Sequence, residues 1–94
     1  MARAILNGVV VAESDETVIV EGNHYFPPDS VKREHFTEVE KTTVCGWKGT
    51  ANYYDVTVDD ITSPAAAWYY ATPKDAASEI EDYVAFWGDV RVEA

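Results

Sequence analysis

The chain has 94 residues, with 17 Asp and Glu against 7 Lys and Arg, a net charge of −10 with histidine neutral and a pI near 4.3. A chain this size buries about 60% of its unfolded surface, and a 47% apolar composition with 3 Trp, 6 Tyr and 3 Phe supplies a core for one domain over residues 1–94 without disulfides or metal. The acidity and the lack of any basic cluster argue against binding to nucleic acid or to anionic membranes, because like charges repel.

Arg3 to Glu13 holds two apolar, β-branched runs joined by Asn7-Gly8, a pair suited to a type I′ hairpin turn. After the polar Ser14-Asp15-Glu16, Thr17 to Glu21 alternates so that Val18 and Val20 share one face of a third strand. Gly22-Asn23 ends it. His24-Tyr25-Phe26-Pro27-Pro28 is expected to leave the sheet, since consecutive prolines remove two ladder donors. A helical turn is predicted near Asp29–Glu34, with Val31 and Phe36 turned inward. Glu38 to Val44 and Thr50 to Val58 read as a second hairpin about the Gly46–Gly49 turn.

Asp59 to Pro64 is predicted as a turn, with a strand from Ala67 through Trp68, Tyr69 and Tyr70. Thr72-Pro73-Lys74-Asp75 predicts a short helix near Pro73–Asp82, Thr72 capping it and Ala76, Ala77 and Ile80 facing the sheet. Tyr83 to Trp87 and Val90 to Val92 then read as two strands closing a tight hairpin at Gly88-Asp89. Seven or eight strands with so little helix and no βαβ alternation give a mainly β fold, a small open barrel or folded antiparallel sheet. Phe86 belongs to its core.

The lone Cys45 cannot form an internal disulfide, which suits a reducing cytoplasm, and no apolar run reaches the 18 or so residues of a membrane span or builds an export signal. Dispersed carboxylates with only four lysines also fit a surface kept soluble in high salt.

Thr42 to Tyr54 is the segment richest in chemistry, with Cys45, Trp47, Lys48 and two glycines in one turn. Lys48, three residues from Cys45, can favour its thiolate and make it a nucleophile or redox thiol, with His24 as a candidate base; equally, Cys45 can be a small buried apolar residue and Lys48 a surface charge. His24, His35 and Cys45 lack the paired spacing of a zinc site, and no cofactor is indicated. Asp59-Asp60 reads as turn chemistry, and Gly46-Trp47-Lys48-Gly49 is too short for a phosphate loop. Trp47, Tyr53, Trp68 and Tyr70 either wall a pocket that stacks a planar ligand or fill the core.

The chain resembles the DUF427 family of domains of unknown function, also labelled nucleotidyltransferase-like. Asn7-Gly8, Ala12-x-Ser14, Tyr25-Phe26-Pro27, Cys45-x-x-Lys48-Gly49-x-Ala51-x-Tyr53, Trp68-x-Tyr70-x-x-Pro73, Ile80 and Val84-Ala85-Phe86 carry the resemblance, over nearly the whole chain. Gly46 stands where the family places proline, which loosens that turn. The resemblance implies a β-tent or Mss4-like fold, two antiparallel sheets splayed around a pocket, here without zinc cysteines. It also gathers Cys45, Lys48, Tyr53, Trp68 and Tyr70 as a polar-aromatic set. Nothing in the chain matches a nucleotidyltransferase, which needs spaced aspartates for two metals.

Three functions compete. The first is a module binding a small molecule or modified side chain, with Trp47, Tyr53, Trp68 and Tyr70 as walls, His24 nearby and Lys48 as anchor for an anionic group. The second is an enzyme using Cys45 with Lys48, and the third a structural or protein-interaction domain. Ligand, partner and oligomeric state are not encoded in any motif.

Overall fold

The computed structural model describes residues 1–94 as nine strands and three short 3-10 segments. The mainly β expectation holds. β1 (Ala2–Leu6) and β2 (Val9–Ser14) form the first hairpin, with Asn7 and Gly8 both at positive φ. β9 (Arg91–Glu93) pairs with the other edge of β1. A second hairpin, β3 (Val18–Val20) with β4 (Asn23–Tyr25), turns at Glu21-Gly22. Four further strands, β5 (Phe36–Cys45), β6 (Gly49–Val58), β7 (Ile61–Tyr69) and β8 (Val84–Phe86), lie side by side in chain order, all antiparallel.

The architecture is therefore three open antiparallel sheets, of three, two and four strands. Two sheets were expected. The difference is the β3–β4 hairpin, because the proline constraint takes effect only from Pro27: Asn23 to Tyr25 still pairs, and Phe26 exchanges two backbone hydrogen bonds with Val84.

Three other expectations are corrected. First, β7 begins at Ile61 instead of Ala67 and runs through Pro64, because a bulge takes up the proline. Its register steps from Val56 opposite Ser63 to Tyr54 opposite Ala67, so Pro64, Ala65 and Ala66 face Asp55 alone. Ala65 takes a φ of 50°, and its N–H donates to Asp55 Oδ1 at 2.7 Å. Second, Gly88-Asp89 closes no hairpin, since β8 pairs with β7 while β9 crosses to β1. Third, the predicted helix is a 3-10 segment, Asp75–Ile80, broken at Ala77 and without a side-chain cap from Thr72. Ala77 and Ile80, three apart, both turn inward in such a segment, whereas Ala76 is exposed. Likewise Asp29–Glu34 resolves into two single turns, Pro28–Ser30 and Arg33–His35, with Val31 buried between them.

The four-stranded sheet carries a core on each face, as its side-chain alternation requires. On one face Val56, Ala67, Val84 and Phe86 pack against Ala2, Ala4 and Leu6 of β1 and Val11 and Ala12 of β2. Phe26 and Phe86 meet edge to face there, ring centres 5.5 Å apart. On the other face Ala51, Tyr70 and Ala85 pack against Tyr25, Ala77 and Ile80, with Val18 and Val20 of the small hairpin at the margin. No helix is long and apolar enough to cross a membrane.

Candidate functional site

The second face of the large sheet also carries the site. Across one rung of the ladder stand Tyr53, Trp68 and Ala85, in β6, β7 and β8. Alternation puts Tyr70 and Trp87 on the same side as Trp68 and Ala85. With Lys48, from the turn between β5 and β6, the rings of Tyr53, Trp68, Tyr70 and Trp87 line a cavity of about 300 Å³.

Three of the four aromatic walls are held by hydrogen bonds. Trp68 donates its indole N–H to the Tyr25 hydroxyl at 3.2 Å and meets that ring edge-on. Tyr25 is fully buried, so the small hairpin holds Trp68 in place. Tyr53 shares a hydrogen bond of 3.0 Å with the Thr43 hydroxyl, and the Lys41 ammonium lies 5.2 Å from its ring centre. Trp87 donates its indole N–H to the Ala65 carbonyl at 2.7 Å, a carbonyl presented by the β7 bulge.

Lys48 is the only buried charged residue, 6% exposed. Its turn is clamped by the segment that follows β7: the Lys74 N–H donates to the Lys48 carbonyl at 2.8 Å, and Lys74 Nζ to the Gly46 carbonyl at 2.7 Å. Gly49 supplies the backbone angle that this turn needs. Its φ of 117° is a conformation that side chains rarely adopt, whereas the backbone of Thr72, Pro73 and Lys74, 3.5–3.6 Å from where a Cβ would stand, leaves ordinary contact distance. The Lys48 ammonium pairs with Glu21 at the tip of the β3–β4 hairpin and lies 5.4 Å from the Trp47 ring centre and 5.6 Å from that of Tyr70.

Burial works against the charge on Lys48, but the Glu21 hydrogen bond, the oxygens of Tyr25 and Tyr70 and the Glu21 charge outweigh it and hold its pKa above the usual 10.5. Reciprocally, the Lys48 hydrogen bond and charge hold Glu21 below the usual 4.5. Burial raises the Tyr70 phenol. At neutral pH the cavity thus presents an ammonium, a carboxylate at its margin and a neutral phenol. A lysine held in its charged form lacks the free lone pair that an amine nucleophile or base uses.

Of the residues singled out in the sequence, Lys48, Tyr53, Trp68 and Tyr70 come together at the cavity. Trp47 stands beside Lys48, exposed, and does not line it. Cys45 ends β5 opposite Gly49, half-buried and packed against the second core; the Lys48 ammonium hydrogen-bonds Glu21 and not this thiol. His24 pairs with Ile19 across the small hairpin, on the side opposite Tyr25, and its Nδ1 lies 3.0 Å from the Thr17 hydroxyl. His35 bonds the Thr57 carbonyl, and nowhere do three His, Cys, Asp or Glu side chains gather as a metal site would need. Two members were missed in the sequence. Glu21 lies 27 positions from Lys48 and reads locally as a turn residue. Trp87 alternates with Phe86, so the strand pattern already put it on the opposite face from the core.

A family model described as a domain of unknown function (DUF427, NTP_transf_9) matches residues 1–94. No curated protein matches the chain.

Proposed function

The chain belongs to the DUF427 family, whose description assigns no reaction, and from the site itself we propose that the protein binds a small planar anion. A ring stacks among Trp68, Trp87, Tyr53 and Tyr70, and its acidic group is held by Lys48. The observation that carries this reading is the burial of Lys48. An ammonium withdrawn from water costs several kcal/mol, roughly, before compensation, and a purely structural position here would be served by an apolar side chain of similar length. Lys48 is the one charged residue that lines the cavity.

A cavity of about 300 Å³ is at the lower end of small-molecule sites and suits one ring system or a modified side chain. A fixed cation over a ring disfavours a cationic guest. The working compartment we assign is the cytoplasm, where Cys45 stays reduced.

The test is a titration with benzoate and nicotinate against their neutral amides, read from the indole N–H signals of Trp68 and Trp87. Both acids are expected to shift these signals at millimolar concentration and the amides far less, and Lys48→Met should abolish the difference. Absence of any response to the acids, or equal response to the amides, overturns the reading.

A further inference from the structure

We propose that Glu21 is an internal occupant of the anion seat, and that the ligand is a carboxylate which replaces it on Lys48. This rests on the binding reading above and narrows it to one class of acidic group.

The two partners of the ion pair are unequal. The Lys48 side chain is 7% exposed and that of Glu21 is 54% exposed. If the pair opens, Glu21 returns to water at little cost, whereas Lys48 remains buried and needs another anion. The requirement is therefore for a negative group at that place, and Glu21 in particular is not essential to it.

Glu21 is free to leave without unfolding anything. It forms the exposed tip of the two-residue turn between β3 and β4, at a φ of 54° beside Gly22 at 81°. What anchors the hairpin lies elsewhere: Tyr25 is fully buried, and Val18 and Val20 pack against the second core. Rotation of the Glu21 side chain leaves those contacts in place.

Exchange of one carboxylate for another keeps the site's charge constant, which explains why the acidic group should carry a single charge. A dianion would bring surplus negative charge into a cavity rimmed by phenol and indole rings. A neutral guest leaves the Lys48–Glu21 pair intact and gains only stacking. The ring of an aromatic acid reaches the walls while its carboxylate takes the seat, since Lys48 and the four rings line the same cavity.

Glu21→Gln tests the exchange. It removes the competing charge at an exposed position, so benzoate should bind about three- to tenfold tighter than to the unaltered protein, with benzamide unchanged. Unchanged or weaker benzoate binding in Glu21→Gln, while the unaltered protein binds it, overturns the displacement and leaves the binding site standing. Failure of benzoate to bind either protein overturns both readings. A second measurement needs no variant: as benzoate saturates the unaltered protein at neutral pH, where both carboxylates are ionised, the Glu21 carboxyl carbon signal should move to that of a solvent-exposed glutamate. A Glu21 carboxyl signal unmoved by saturating benzoate at neutral pH overturns the displacement independently.

Discussion

Lys48 and Glu21 are ionised together because each holds the other's charge, and this ties a binding feature to stability. Glu21 is held below its ordinary value of 4.5, so the unfolded chain takes up its proton more readily than the folded one. Its contribution is complete above pH 4.5 and is lost as pH falls through that value towards the lower folded pKa. Lys48 behaves oppositely: its contribution is complete below 10.5 and is lost as pH rises through that value towards the raised folded pKa. The melting temperature of the unaltered protein should therefore fall more steeply than that of Glu21→Gln between about pH 5 and pH 3. Parallel curves for the two proteins would show that the pair contributes nothing to folding.

The β7 bulge shows how one irregular element builds a wall of the cavity. Asp55 accepts the N–H of Ala65, which holds that residue at its left-handed φ, and the Ala65 carbonyl in turn accepts the Trp87 indole N–H. A chain of two hydrogen bonds thus runs from β6 to the cavity rim. Asp55→Ala leaves the Ala65 amide without its partner and should cost about 1–2 kcal/mol of stability. The indole N–H signal of Trp87 should move while that of Trp68, which rests on Tyr25, stays in place. A denaturant melt with the two indole signals measures both effects, and a loss of stability with Trp87 unmoved would separate the bulge from the wall. Pro64 and the run Ala65-Ala66-Ala67 argued locally for a turn or helix. Three alanines form strand here because the ladder to β6 and β8, and burial of Ala66 and Ala67, outweigh their propensity.

For the molecule as a whole, the net charge of −10 on 94 residues sets up self-repulsion, and the ion pairs Arg3–Glu13, Arg91–Glu93, Lys48–Glu21 and the N-terminal ammonium with Asp15 engage only four of the 17 acids. Salt screens the repulsion among the rest. The melting temperature should rise between low and molar potassium chloride, and a flat or falling curve would show that these pairs matter more than the net charge. All three tryptophans belong to the site or its margin: Trp68 and Trp87 line the cavity and Trp47 flanks Lys48. Intrinsic fluorescence therefore reports on this one region.

By itself the sequence determined what depends on neighbours along the chain. Asn7-Gly8 suited a type I′ turn, alternation placed Trp68 with Tyr70, Phe86 belonged to the core, and the Thr, Tyr and Val of the run from Thr50 to Val58 favoured strand. Four cavity residues, Lys48, Tyr53, Trp68 and Tyr70, were legible for that reason. Tertiary structure decided what depends on pairing across the chain. Gly88-Asp89 has hairpin chemistry, yet β9 finds β1 in place of β8. Glu21 looks like an exposed turn residue until Lys48, 27 positions away, is folded beneath it. Local conformational preference is fixed within a few residues, but the partner of a strand edge or of a buried charge is chosen only when distant segments compete to cover the same surface.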